Sequence, residues 1–250
     1  MEYVIATAFG VGGATMIGAL IGLLIKNPSH KFSDIILSFA SGIMLCAAII
    51  GLIIPSYDAD NKISIFLTIL GIFVGATFLY LIDKLVPHFH KIDGNDLEPH
   101  PTTRSNKIIL FVIAIAIHNF PEGLAAGVSF GSDNLSHALS IALGIALQNI
   151  PEGMVIIAPL LATGISKKKT ILIALATGFV EVIGTFLGYF LITITTFILP
   201  FALAFAGGTM LYIISDEMIP ETHAHGNEMV STYSLLIGFA FMLLFNFFIG

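Results

Sequence analysis

Two copies of one short pattern, thirty residues apart, hold the side chains that could do chemistry. The first reads Ile117-His118-Asn119-Phe120-Pro121-Glu122-Gly123 and the second Leu147-Gln148-Asn149-Ile150-Pro151-Glu152-Gly153. Imidazole, carboxylate and amide groups are the donors of a divalent-metal site. Residues four apart share a helix face, so His118 stands over Glu122 and Gln148 over Glu152, with a rise of about 6 Å. Two such helices facing each other would present nitrogen and oxygen ligands around a common centre. Asn119 and Asn149 add amide oxygens one step round.

Both copies lie in stretches apolar enough to cross a bilayer, where an ionisable residue costs about 2.5–3.5 kcal/mol and marks a functional site. Glu181, in Gly178-Phe179-Val180-Glu181-Val182-Ile183-Gly184, is a third acid of this kind. Left ionised and unpaired, the three carboxylates would cost roughly 8–10 kcal/mol. No Lys or Arg lies in the interior of a span to pair them. Their charge of −3 is offset by protons or by one or two divalent cations, so metal binding is expected to depend on pH. A lone Glu181 or a lone His118 in a membrane is often satisfied by packing or by a proton. Repetition of a six-residue pattern argues against that reading for the group.

The elements that position these residues are membrane helices. Of 250 residues 56% are hydrophobic and 10% charged, against about 25% charged in a soluble domain; mean hydropathy is +0.98. A span needs roughly 20 apolar residues. The sequence predicts eight, over 3–25, 34–56, 64–86, 107–129, 137–163, 169–193, 197–217 and 231–249, in a single transmembrane domain covering 1–250. The run from Thr170 to Ile214 is too long for one span, and Pro200 is the best place to turn it. Met1-Glu2 lacks the basic start of a signal peptide, so the first run is expected to remain as a span. Cys46 is the only cysteine, which excludes an intramolecular disulfide and a thiolate cluster.

Of the ten Lys and Arg, Lys26, Lys31, Lys84, Lys91, Arg104, Lys107, Lys167, Lys168 and Lys169 fall on one side and only Lys62 on the other. The positive-inside rule makes the richer face cytoplasmic and puts both termini outside. The cytoplasmic loop over 87–106 carries His88, His90 and His100; it reads as a solvated linker or as a metal-catching loop. Pro121 and Pro151 each remove a helix hydrogen bond, from the carbonyls of Ile117 and Leu147. Interrupted helices at two corresponding positions point to a transporter site, related here by a pseudo-twofold axis in the membrane plane. Glycines stripe the first span (Gly10, Gly12, Gly13, Gly18, Gly22) and the third (Gly71, Gly75), as close packing in lipid requires. They permit a homodimer without requiring one.

On these motifs the chain resembles the ZIP (Zrt-, Irt-like) family of divalent metal transporters, and within it a bacterial GufA-like branch. The resemblance runs over essentially the whole chain. It implies an all-α fold in which inverted three-helix repeats enclose spans four and five, with a binuclear metal site between those two. One metal position would use His118, Glu122, Gln148 and Glu152, with Met44 nearby, although a Met in a span is usually packing. The other would use Asn119, Glu122, Asn149, Glu152 and Glu181, with Glu122 and Glu152 bridging. Asp58 matches an acidic position at the outer mouth, and Asp216 and Glu217 match the inner exit path, which His223 and His225 could extend. Many family members have His where this chain has Gln148. An amide oxygen is harder and binds zinc less well, which leaves zinc, cadmium, iron and manganese open.

The function so implied is uptake of divalent metal across a prokaryotic plasma membrane, with the ions as substrates, no cofactor, no enzymatic reaction and no nucleic-acid partner. An inside-negative potential supplies about 2.3 kcal/mol per charge per 100 mV, so no nucleotide is needed, and no phosphate-binding loop is visible. Three rivals remain at the level of sequence. An intramembrane metal-dependent hydrolase could use the same ligands to activate water, but there is no H-E-x-x-H and the ligands are split over two helices. A metal sensor without transport draws on the His-bearing loop. A proton-coupled exporter fits the charge imbalance, and direction of flux decides.

Overall fold

The computed structural model describes residues 1–25, 28–58, 60–85, 104–132, 134–194 and 196–249. Among them, eight helical stretches are long and apolar enough to cross a membrane: Glu2–Leu24, His30–Ser56, Lys62–Lys84, Val112–Gly131, Leu135–Ala162, Lys167–Ile194, Leu199–His223 and Glu228–Ile249. They are called here the first to eighth spans.

Local chemistry sets several ends. Ser29 caps the second span by accepting from the Phe32 amide at 3.2 Å, and Asn134 caps the fifth by accepting from the His137 amide at 3.1 Å, each satisfying an otherwise orphaned donor. Gly164 (φ 77°) and Gly226 (φ 75°) take left-handed turns after the fifth and seventh spans, which a side chain would oppose. The long apolar run turns at the short helix Thr196–Ile198, just before Pro200, which lies in the first turn of the seventh span. His88, His90 and His100 lie outside the described residues, and the helix of the fourth span begins at Arg104.

Two expectations are corrected. The helices Arg104–Val128 and Leu135–Val155 continue through Pro121 and Pro151. The lost bond at each proline is absorbed within the helix, and the fifth span is interrupted only at Ile156, before a short helix Ile157–Ala162. The interrupted helices are instead the second and seventh. Each contains a wide π turn, Ala47–Ile53 and Ile214–Met218, followed at once by Ile-Pro (Ile54-Pro55, Ile219-Pro220). A proline clashes with the carbonyl four residues earlier, and widening the preceding turn relieves it. The freed Gly51 carbonyl accepts from His137 Nε2 at 3.0 Å. Because the seventh span passes through its wide turn, it ends at His223 rather than at 217.

The packing is paired. The fourth span lies against the sixth and the fifth against the first; the third lies against the seventh and the eighth against the second; the second meets the fifth and the seventh meets the fourth. Exchanging one with six, two with seven, three with eight and four with five maps each of these pairs onto its counterpart. The first and sixth spans, which cross at the centre, carry Gly12-x-x-Thr15-x-x-Gly18 and Gly178-x-x-Glu181-x-x-Gly184. Gly12 and Gly178 bring the two backbones into direct contact, so a Cβ on either would collide with the other's carbonyl.

Candidate metal-transport site

The glycine that ends each motif brings the supporting helices to the site. A Cβ on Gly123 would sit 2.7 Å from the Glu181 Cα, and one on Gly153 would sit 3.0 Å from the Thr15 carbonyl carbon. The first and sixth spans therefore approach the motif helices closely enough for Thr15 and Glu181 to reach in. Glu122, Gln148 and Glu181 are fully buried, and Asn119 and Asn149 nearly so. Glu122 lies against Gln148 and Glu152 and near Glu181, and Glu152 lies near His118.

The hydrogen-bond inventory separates this cluster into two parts. Glu181 is held by three donors: Oε1 accepts from Thr15 Oγ1 and Asn119 Nδ2, both at 2.6 Å, and Oε2 accepts from Asn149 Nδ2 at 2.5 Å, which leaves acceptor capacity on Oε2. By contrast, both oxygens of Glu122, both amide atoms of Gln148, Asn149 Oδ1 and Glu152 Oε1 are buried with no partner from outside the cluster, Glu122 facing only Gln148 and Glu152. Buried acceptors left in this state are costly, and five of these six atoms are oxygens of the kind that bind a divalent cation. His118 Nε2 lies 2.5 Å from Glu217 Oε2. With His118 drawn to Glu217 and Glu181 to its donors, no three His, Cys, Asp or Glu side chains among the described residues stand together as a closed ligand shell.

A cavity of about 370 Å³ leads to this cluster. His118, Asn119, Glu122 and Glu152 line its inner end, with Thr15 and Met44 beside them. Leu37, Ala114, Ile115, Val155, Ile156, Pro159, Glu217 and Glu221 line the way out. Those residues belong to the half of the bundle that ends at Lys31, Lys84 and Lys167–Lys169, and Pro159 and Glu221 are exposed there. Toward the other end the same helices close over the site: Ala47, Ala48, Leu52, Val128, Ile141 and Ile145 are at most 1% exposed and share one apolar core.

The structure brings together Met44, His118, Asn119, Glu122, Gln148, Asn149, Glu152, Glu181 and Glu217. Asp58 is apart, exposed after the second span at the opposite end, where its Oδ1 accepts from the Asp60 amide. Asp216 does not join Glu217: one helical step turns it outward, and Tyr212 Oη donates to it at 3.1 Å. His223 bonds to the Ile219 carbonyl and Thr232, and His225 to Asp34 at 3.0 Å; neither lines the cavity. Thr15 was missed from sequence. The one signal for it was its place opposite Glu181 in the paired glycine frames of the first and sixth spans.

A model of the ZIP zinc transporter family matches residues 98–246. The chain is 39% identical over 245 residues to the zinc transporter GufA of Myxococcus xanthus, covering 96% of each chain. It is 34% identical over 242 residues to the zinc transporter ZIPB of Bordetella bronchiseptica, covering 92% of this chain and 76% of that one. A vertebrate relative, the zinc transporter ZIP11 of Xenopus tropicalis, is 29% identical over 310 residues, covering 92% of each. Family match, span count and the twofold metal-ligand motif agree, and the chain belongs to the ZIP zinc transporter family.

Proposed function

We propose that this protein carries divalent metal, zinc foremost, across a plasma membrane into the cytoplasm, with its termini outside. The observation that supports this most is the set of buried acceptor atoms on Glu122, Gln148, Asn149 and Glu152, which face one another with no partner from outside the cluster at the closed end of a cavity. A dication in their midst would satisfy those oxygens and offset the carboxylate charge that the bilayer otherwise penalises. Glu122, Glu152 and Gln148 are the proposed first ligands, with His118 completing the shell after it leaves Glu217. Asn119 and Asn149 would contribute amide oxygens, and Glu181 a carboxylate oxygen, at an adjoining second position bridged to the first by Glu122 and Glu152.

Glu217 then has a defined part. It holds the imidazole while the site is empty, and it takes the ion's charge when His118 lets go, at the threshold of the exit cavity. Asp58 gathers ions at the far mouth. Because apolar packing shuts the site on that side while the cavity reaches the other, ions cannot pass through this conformation end to end. Transport requires a second conformation in which the second, fourth, fifth and seventh spans part toward Asp58. A sensor would bind without flux, and no such closed-and-open pair of routes would be needed. Zinc accumulation by cells expressing the protein is expected to fall to background with Glu152→Ala. Accumulation equal to the parent, at equal expression, would refute the proposed site.

A further inference from the structure

We infer that Thr15, on the first span, is a positioning residue of the transport site, acting through Glu181 on the amides of Asn119 and Asn149. This rests on the transport-site reading above. The geometry is a four-member network around one fully buried carboxylate. A carboxylate can only accept, and here it receives three donors: Thr15 Oγ1 and Asn119 Nδ2 on one oxygen, Asn149 Nδ2 on the other. Asn149 Nδ2 also donates to the Val11 carbonyl at 3.3 Å.

Each amide thus has its NH2 committed to Glu181. That orientation decides which end of the amide is left for a ligand, and Asn149 Oδ1 is left without a donor. The two asparagines occupy equivalent places in the two motifs, so one carboxylate near the pseudo-twofold axis orients both. Its counterpart across that axis is Thr15, placed by the matching glycine frame on the first span. A hydroxyl there completes the donor set, whereas a second carboxylate would repel the first. Glu181 is accordingly the anchor of the ligand amides, and Thr15 fixes the anchor. Metal-binding sites commonly lose about 10–100-fold in affinity when such outer partners are removed.

Thr15→Val keeps the side-chain shape and removes the donor, while Thr15→Ser keeps the donor and removes a methyl group. Zinc titration calorimetry on the purified full chain, with the Co²⁺ absorption spectrum as a second readout, separates the two roles. Thr15→Val is expected to weaken zinc binding at least tenfold and to shift the Co²⁺ bands, as the amides lose register. Thr15→Ser is expected to bind within about twofold of the parent with an unshifted spectrum. Unchanged affinity and spectrum in Thr15→Val would overturn the inference, as would equal losses in both variants, which would assign Thr15 to packing alone. Glu152→Gln serves as the control: if zinc binding by the parent does not need Glu152, the site reading itself fails, independently of Thr15.

Discussion

At the level of single residues, the proposed transport site gives Gln148 and Glu217 the parts that are easiest to test. Gln148 is fully buried against Glu122 with no partner from outside the site, and as the proposed ligand it would be a weak one for zinc. Gln148→His replaces it with a softer nitrogen. The expected outcome is zinc uptake that half-saturates at about tenfold lower concentration, equivalent to about 1.4 kcal/mol, and a larger preference over Mn²⁺ in competition assays. An unchanged ranking of metals would remove Gln148 from the ligand set. Glu217→Gln leaves His118 without its carboxylate. The maximal rate is expected to fall severalfold with little change in half-saturation, because release suffers more than capture; a rise in half-saturation alone would instead place Glu217 in capture. His118, Glu122, Gln148 and Glu152 were legible in the sequence because one pattern occurs twice at helical spacing. Thr15 was not, because a lone threonine in a span carries no periodic signal and its partner lies 166 residues away.

At the level of elements, glycines and prolines decide how close and how straight the helices run. Gly123 and Gly153 let the sixth and first spans touch the motif helices. Gly123→Ala and Gly153→Ala are each expected to lose about 1–3 kcal/mol by overpacking, seen as a lower midpoint of thermal unfolding in detergent, together with impaired uptake. Gly10→Ala is the comparison, since nothing lies within 4 Å of a Cβ there, and it is expected to be neutral. Equal effects at all three positions would contradict the packing argument. The eight spans were legible from apolar runs and from the alternation of basic loops. The wide turns were not. Ile54-Pro55 and Ile219-Pro220 read equally well as helix ends, and only tertiary contacts, such as His137 on the Gly51 carbonyl, show the chain continuing through a widened turn.

At the level of the whole molecule, the described conformation exposes the site to one side only. The proposed transport calls for a second conformation built from the same residues, and the sequence names candidate ligands without telling which way the cavity faces. With the lone Cys46 replaced by Ala, a cysteine at Val155 on the cavity wall is expected to react with a polar thiol reagent from the face that carries the basic loops. A cysteine at Leu52, fully buried in the apolar closure, is expected to react only when the protein opens the other way. Equal labelling of both from both faces would indicate a continuous pore. Flux through the motif site remains the central claim, and zinc influx into sealed liposomes containing the purified protein tests it most directly, with the Glu122→Ala/Glu152→Ala double variant beside it. Saturable influx that the double variant abolishes is the expected result. Zinc bound without influx, or influx that survives loss of both carboxylates, would contradict it.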